Sequence, residues 1–324
     1  MAGFRNILVY LDSRPESPAG LELALALAQS DGGRVRVVDV LRPLPLLQTP
    51  GALREGEIDV AGPELAILVL RERELALDEV IRPLAALGVR VERHVAWGSP
   101  FLELVRQVIA DRHDLVIKTA EGRAPLRPSL FGSTAMHLLR KAPCPVWIAK
   151  MGSPVLPRCI VAAVDPLAED PLSEKIVKTA LDLAQRTGSR LHVVGAWSTP
   201  GSSILRTTLG RDGLSRYGAL LQRQAKASLE QAVARLGARL GTVEIHVLEG
   251  EPHEVVPAFV STCGADLLVL GTVARGGIPG LFIGTEAEQI MRAIECSVLA
   301  LKPDGFVSPV TLATPDSTSK GDRR

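Results

Sequence analysis

Glycines, with two carboxylates and two hydroxyls, gather in one stretch, GTVARGGIPGLFIGTEAEQI, residues 271–290. It follows ADLLVL, which reads as a buried strand, and runs into a helical pattern near Thr285. Gly271, Gly276, Gly277, Gly280 and Gly284 let backbone N–H groups turn toward an anion with no Cβ in the way. A helix N-terminus adds unpaired N–H groups and partial positive charge. The chemistry these residues offer is phosphate binding. Asp165 closes an earlier strand and could accept a hydrogen bond from a ribose hydroxyl across the crevice. A plainer reading stands beside it. TEAE is a capping box in which Thr285 caps the helix and Glu288 reaches back, and glycine clusters also form turns that hold no ligand. Neither G-K-[ST] nor a G-x-G-x-x-G after the first strand occurs, so the common nucleotide fingerprints are missing.

Other chemistry finds less support. His246, His253, Glu249, Glu251 and Glu254 crowd one stretch, but no H-E-x-x-H occurs and no zinc spacing is matched, so a solvated polar rim with no metal is expected. Cys144, Cys159, Cys263 and Cys296 form no C-x-x-C pair, which speaks against disulfide scaffolds and zinc knuckles and fits a reducing cytoplasm. Cys144 and Cys296 read as small core residues at the start of a strand. Ser133 and Thr285 read as helix caps, and no G-x-S-x-G elbow supports a nucleophile. A net charge of +1 spread along the chain argues against a nucleic-acid partner. No apolar run approaches the ~20 residues that span a membrane.

The elements that must position these residues come in two copies. His94, Gly98 and Pro100 fall on His246, Gly250 and Pro252, DLVIKT (114–119) falls on DLLVLG (266–271), and CPVWIAK (144–150) falls on CSVLALK (296–302). RNILVYLD (5–12) meets RCIVAAVD (158–165), and LALAQSDGGRVRVV (25–38) meets LDLAQRTGSRLHVV (181–194). In the second copy strands are expected at 159–164, 190–196, 243–248, 266–270 and 297–301, with helices near 172–186, 214–239, 252–263 and 285–294. Continuous apolar strands alternating with helices imply parallel, right-handed β-α-β crossovers. The fold expected is α/β: two tandem doubly wound sheets, mostly parallel and five-stranded, flavodoxin-like or adenine-nucleotide α-hydrolase-like. Ligands of such sheets sit beyond the strands' carboxyl ends, where strand order reverses. The segments 42–63 and 198–213 read as long connections, the first rich in Leu and Pro, and 311–324 reads as a disordered polar tail.

Residues 271–302 resemble the pattern of the universal stress proteins, G-x-x-G, nine residues, then G-[ST], with a capping Glu and a PCPV-type last strand. Gly271 opens it, Ala274 replaces the second Gly, and Gly284-Thr285 close it; KAPCPVWIAK (141–150) is similar to the family's last strand. The likeness covers residues 4 to about 302 and is to the tandem branch. It implies ATP or another adenine nucleotide, with Mg²⁺ accompanying ATP, held in the second half by Asp165, Val194, Gly271, Ala274, Gly284 and Thr285. In the first half Thr119 stands where the first Gly belongs, Pro125 and Pro128 each remove a donor, and Glu121 brings a like charge, so that loop reads as degenerate.

The expectations are therefore a first domain over 1–152 with a degenerate loop, a second over 153–304 with a partly retained loop, and a polar tail over 305–324. The chain reads as a cytoplasmic stress-response protein, regulatory rather than catalytic. Weak ATP hydrolysis is one alternative, and a scaffold for a protein partner or apolar small molecule without nucleotide is another. The two last strands carry no charge until their final Lys, so each would be a bare sheet edge. They are expected to cover one another in an intramolecular pseudo-dimer, with further self-association left open.

Overall fold

β-Branched runs and helical stretches alternate in both halves as the pattern predicts. The structure is a computed structural model that describes residues 3–12, 19–42, 62–120, 131–168, 170–199, 202–237, 243–272 and 284–312. The first half contains β1 (Asn6–Tyr10), α1 (Ala19–Asp31), β2 (Arg34–Leu41), α2 (Gly62–Ile81), β3 (Arg90–Trp97), α3 (Pro100–Asp111), β4 (Leu115–Thr119), α4 (Ser133–Lys141) and β5 (Val146–Ala149). The second contains β6 (Cys159–Val164), α5 (Pro171–Thr187), β7 (Arg190–Trp197), α6 (Ser202–Arg235), β8 (Val243–Glu249), α7 (Pro252–Thr262), β9 (Leu267–Gly271), α8 (Thr285–Ala293) and β10 (Ser297–Leu301).

The expected two sheets are joined into one ten-stranded sheet, ordered β3-β2-β1-β4-β5-β10-β9-β6-β7-β8. Each half is parallel throughout, and order reverses beside β1 and beside β6. The two last strands meet antiparallel, with Val298 opposite Ile148, Leu299 opposite Trp147 and Ala300 opposite Val146. The reason lies in the residues: both strands are apolar and buried, and pairing gives each edge's backbone groups a partner. α1, α2, α5 and α6 cover one face and α3, α4, α7 and α8 the other, each burying aliphatic side chains on the sheet. Ion pairs span the halves among the described residues, with Arg186 and Asp31 at 2.5 Å and Arg140 and Glu288 at 3.1 Å.

The repeated Gly-x-Pro has a clear local cause. Gly98 (φ 148°) and Gly250 (φ 139°) turn the chain out of β3 and β8, and Pro100 and Pro252 open the next helices, where a missing N–H costs nothing. Asp114 and Asp266 also repeat a role: each carboxylate accepts backbone N–H groups at the start of its half's first strand, from Arg5 and Asn6 or from Arg158 and Cys159.

Three expectations need correction. Most of 198–213 is helix rather than loop: α6 begins at Ser202 and breaks at Gly210, whose φ of 68° and ψ of 179° suit glycine alone. Neither Ser133 nor Thr285 caps its helix; the caps are Gly132 and Gly284, without a side-chain bond, and Glu288 turns instead to Arg140 and Arg292 because charge-assisted partners outcompete a backbone N–H. The start of the expected tail lies partly against the first half: Phe306 and Val310 are half-buried and line a groove with Val108 and Cys144. Residues 43–61 of the long Leu- and Pro-rich connection, and 313–324, lie outside the described residues.

Candidate functional site

Beyond the carboxyl ends of β6, β7 and β9, at the reversal point of the second half, lies a cavity of about 420 Å³. Parallel strand order puts it there, because the chain leaves β6 and β9 toward opposite faces and the helices that follow splay apart. Asp165 forms one side, just past β6, and its Oδ1 accepts the Leu167 N–H at 2.9 Å. Gly271, Gly284 and Thr285 form the other. Leu172 and Ile176 of α5 and Val256 and Ile290 of α7 and α8 make an apolar wall. Asp170 and Glu286 add carboxylates to the rim, and no Lys or Arg stands among the described lining residues.

The N-terminus of α8 faces this cavity through Gly284, Thr285, Glu286 and Ala287. Its first-turn N–H groups have no intrahelical acceptor and no side-chain cap. The Gly284 N–H is committed to the Thr272 carbonyl at 3.1 Å. Glu286 is paired at 2.9 Å with His253, and that carboxylate holds the imidazole above its ordinary pKa. Gly271 has a packing role as well: a Cβ there would stand 2.7 Å from Leu172 Cδ2.

Of the residues singled out from sequence, Asp165, Gly271, Gly284 and Thr285 come together at this cavity. Val194 is fully buried in the core of β7 and is not among the lining residues. Ala274 and the glycines at 276, 277 and 280 lie outside the described residues. His246, expected on a solvated rim, is partly buried: its ring lies tilted against Phe259 and meets His192 at 3.1 Å.

At the corresponding place in the first half, larger side chains stand on the strands. Tyr10 stands where the second half has Ala163, and Lys118 where it has Leu270. Both are buried, Lys118 at 1% exposure. The Tyr10 hydroxyl lies 3.3 Å from Asp12 Oδ1, and the Lys118 ammonium 3.9 Å from Asp12 Oδ2 and 5.9 Å from the Tyr10 ring centre. Burial beside Asp12 raises the Tyr10 pKa, which keeps the phenol neutral. Asp12, the counterpart of Asp165, is thus engaged by its neighbours. The first-half loop read as degenerate, residues 121–130, lies outside the described residues, and these two side chains are a further difference between the halves. Laying Tyr10 over Ala163 and Lys118 over Leu270 in the repeat was the signal available for it.

Comparison with known proteins agrees with the tandem design. The profile of the Universal stress protein family matches residues 3–150 and again 158–302. Universal stress protein E of Escherichia coli (strain K12) is 30% identical over 326 residues, covering 96% of this chain and 98% of that one. Among solved structures, a functionally unknown protein of Pseudomonas aeruginosa PAO1 superposes with a TM-score of 0.71 at 24% identity, covering 94% of each chain. A universal stress protein of Archaeoglobus fulgidus superposes with a TM-score of 0.64 at 18% identity, over 91% of this chain and 97% of that one.

Proposed function

The chain belongs to the universal stress protein family, with two of its domains in tandem, and from that premise we propose that the second domain binds one adenine nucleotide and the first binds none. The observation that carries this reading is the cavity with Asp165 on one wall and the uncapped N-terminus of α8 on the other. Phosphate oxygens would be held by the Thr285, Glu286 and Ala287 N–H groups, and a ribose hydroxyl would donate to Asp165. The apolar wall of Leu172, Ile176 and Val256 suits a purine face. Asp170 and Glu286 on the rim repel a free triphosphate, so the Mg²⁺ complex, with less negative charge, is the species favoured.

The role is regulatory rather than catalytic. Phosphoryl transfer needs cationic groups around the transferring phosphorus, and the described lining residues offer carboxylates and hydroxyls but no Lys or Arg. We place the protein in the cytoplasm, where its four free cysteines stay reduced. No described helix is long and apolar enough to cross a membrane.

Titration calorimetry of the full chain with Mg²⁺-ATP tests the reading. One nucleotide per chain is expected, and Gly284→Asp should weaken it at least tenfold. Gly284 has φ −55°, so Asp fits its backbone, and an Asp there caps α8 while placing a carboxylate where phosphate would lie. Two sites per chain, or undiminished binding by that variant, would overturn the reading. Hydrolysis at ordinary enzymatic rates that Gly284→Asp abolishes would replace it with the ATPase reading.

A further inference from the structure

A second group of polar side chains lies at the opposite end of the same sheet, where β6 and β7 begin and α7 ends. Cys159 opens β6, His192 lies on β7 and Cys263 follows α7. Both sulfurs and a ring nitrogen of His192 lie within 4.8 Å of one another. Cys159 is 1% exposed and His192 4%, while Cys263 is half-buried. The sulfurs make long contacts, Cys159 Sγ to the Cys263 carbonyl at 3.9 Å and Cys263 Sγ to the Val260 carbonyl at 3.6 Å, and the two thiols face one another.

His192 gives the group its direction. Its Nδ1 lies 3.1 Å from His246 Nε2 and 3.5 Å from Glu244 Oε2. Its Nε2 is buried with no hydrogen-bond partner. A buried polar atom left bare is costly, so an imidazole bonded at one nitrogen and bare at the other calls for a partner. Metal-binding imidazoles have this form: one ring N–H held by a neighbouring acceptor, the other nitrogen presenting its lone pair.

The repeat supplies an internal control. The same five backbone positions in the first half carry Asn6, Arg36, Asp111, Glu92 and His94 instead of Cys159, His192, Cys263, Glu244 and His246. The strand registers agree, since Arg36 is opposite Glu92 and His192 opposite Glu244. There the Arg36 guanidinium pairs with Asp111 and with Glu92, the latter at 2.9 Å. Asn6 donates to the Asp111 carbonyl at 2.8 Å, and Gln107 joins His94 at 3.1 Å. The first half thus places its own cation among its acceptors. In the second half two thiols and an imidazole replace the asparagine, the aspartate and that cation.

We propose that Cys159, Cys263 and His192 Nε2 bind one Zn²⁺ per chain, with His246 and Glu244 orienting the imidazole. Two thiolates and an imidazole are a soft-to-borderline donor set, and three protein ligands leave a fourth position for an oxygen. Zinc–sulfur and zinc–nitrogen bonds of ~2.3 and ~2.0 Å set ligand atoms roughly 3.5–3.8 Å apart, so the group needs to close by about an ångström or less. As Zn²⁺ enters, each thiol gives its proton to solvent, and the group stays neutral overall. Cu⁺ with two thiolates would leave a net negative charge in a mostly buried place, which disfavours it. The site ties the end of α7 to β6 and β7 on the side of the sheet remote from the nucleotide cavity.

The test is metal binding by the full chain, reduced, stripped with a chelator and titrated with Zn²⁺ against a chromophoric competitor. One equivalent should bind. Cys159→Ser and Cys263→Ser should weaken it about 100-fold, and His246→Gln, which touches no metal, about tenfold. Cys144→Ser should leave it unchanged. Co²⁺ in place of Zn²⁺ should give sulfur-to-cobalt charge-transfer absorption that both variants lose. Zn²⁺ should also protect the half-buried Cys263 thiol from alkylation in the folded chain. If the serine variants fold poorly, Cys159→Asn carries the residue that the first half tolerates at the same position. Failure of Zn²⁺ to bind stoichiometrically, binding of Cu⁺ alone, retention by Cys263→Ser, or loss only in His253→Gln would each overturn the proposal.

Discussion

Ala163 and Tyr10 occupy one position of the repeat: the alanine lines the open cavity of the second half, and the tyrosine is buried at the same place in the first. Ala163→Tyr should therefore close the second cavity from within. The expected result is at least a 30-fold loss of nucleotide affinity by calorimetry with an unchanged melting temperature, because the ring enters existing space. A second residue-scale effect belongs to Lys302. It is 3% exposed, its ammonium donates to the Leu139 and Arg140 carbonyls at the end of α4, and it lies 4.8 Å from the Phe306 ring centre. Burial pushes its pKa down to about 7. Above that pH the folded state has released a proton that the unfolded state keeps, so stability rises with pH. Between pH 7 and 8.5 the gain is on the order of 1 kcal/mol, and Lys302→Met should remove it in urea titrations. The window stops there because burial raises the pKa of Cys144 and Cys296 to about 12, so stability they contribute is lost only as pH climbs past the ordinary thiol range.

At the scale of elements, the antiparallel junction of β5 and β10 sets how the halves meet. Apolar composition and the absence of charge until Lys150 and Lys302 marked both strands as edges in need of cover, and the structure pairs them. Leu299, fully buried opposite Trp147, should be costly to truncate: Leu299→Ala is expected to lose about 2–5 kcal/mol. Leu312→Ala, at a half-exposed position, should cost close to nothing in the same chemical-denaturation series. Helix beginnings were harder to read. TEAE has the letters of a capping box, yet Glu288 bonds Arg140 of the other half and Arg292 one turn on. A partner 148 residues away has no trace in local sequence. The start of α6 is similar: 198–213 reads as a long connection, and the structure makes most of it helix with an interruption at Gly210.

For the whole molecule, ion pairs across the pseudo-two-fold join halves that could otherwise fold as units. Asp31 accepts the Phe4 N–H and both contacts of the Arg186 guanidinium, with little exposure on either side. Arg186→Ala leaves that carboxylate without its cation and should cost about 1–3 kcal/mol in the full chain. Expressed apart, residues 1–152 and 153–324 would each bare β5 or β10. Each is expected to self-associate in sedimentation experiments; stable monomers of both would show that the junction is dispensable.

The sequence by itself determined the repeat, the strand–helix alternation, the parallel sheets and the two edges, because these follow from hydrophobic periodicity and from residues near one another in the chain. It also singled out Asp165 and Gly284 as residues of one crevice, since strand order in such folds is narrowly constrained. Only tertiary structure decided the burial of Tyr10 and Lys118 beside Asp12 and the capping of α4 and α8 by glycine. It alone brought Cys159, His192 and Cys263 together. Spacing along the chain carries no metal motif for those three, because β6, β7 and the end of α7 meet only when the crossovers fold back on the sheet.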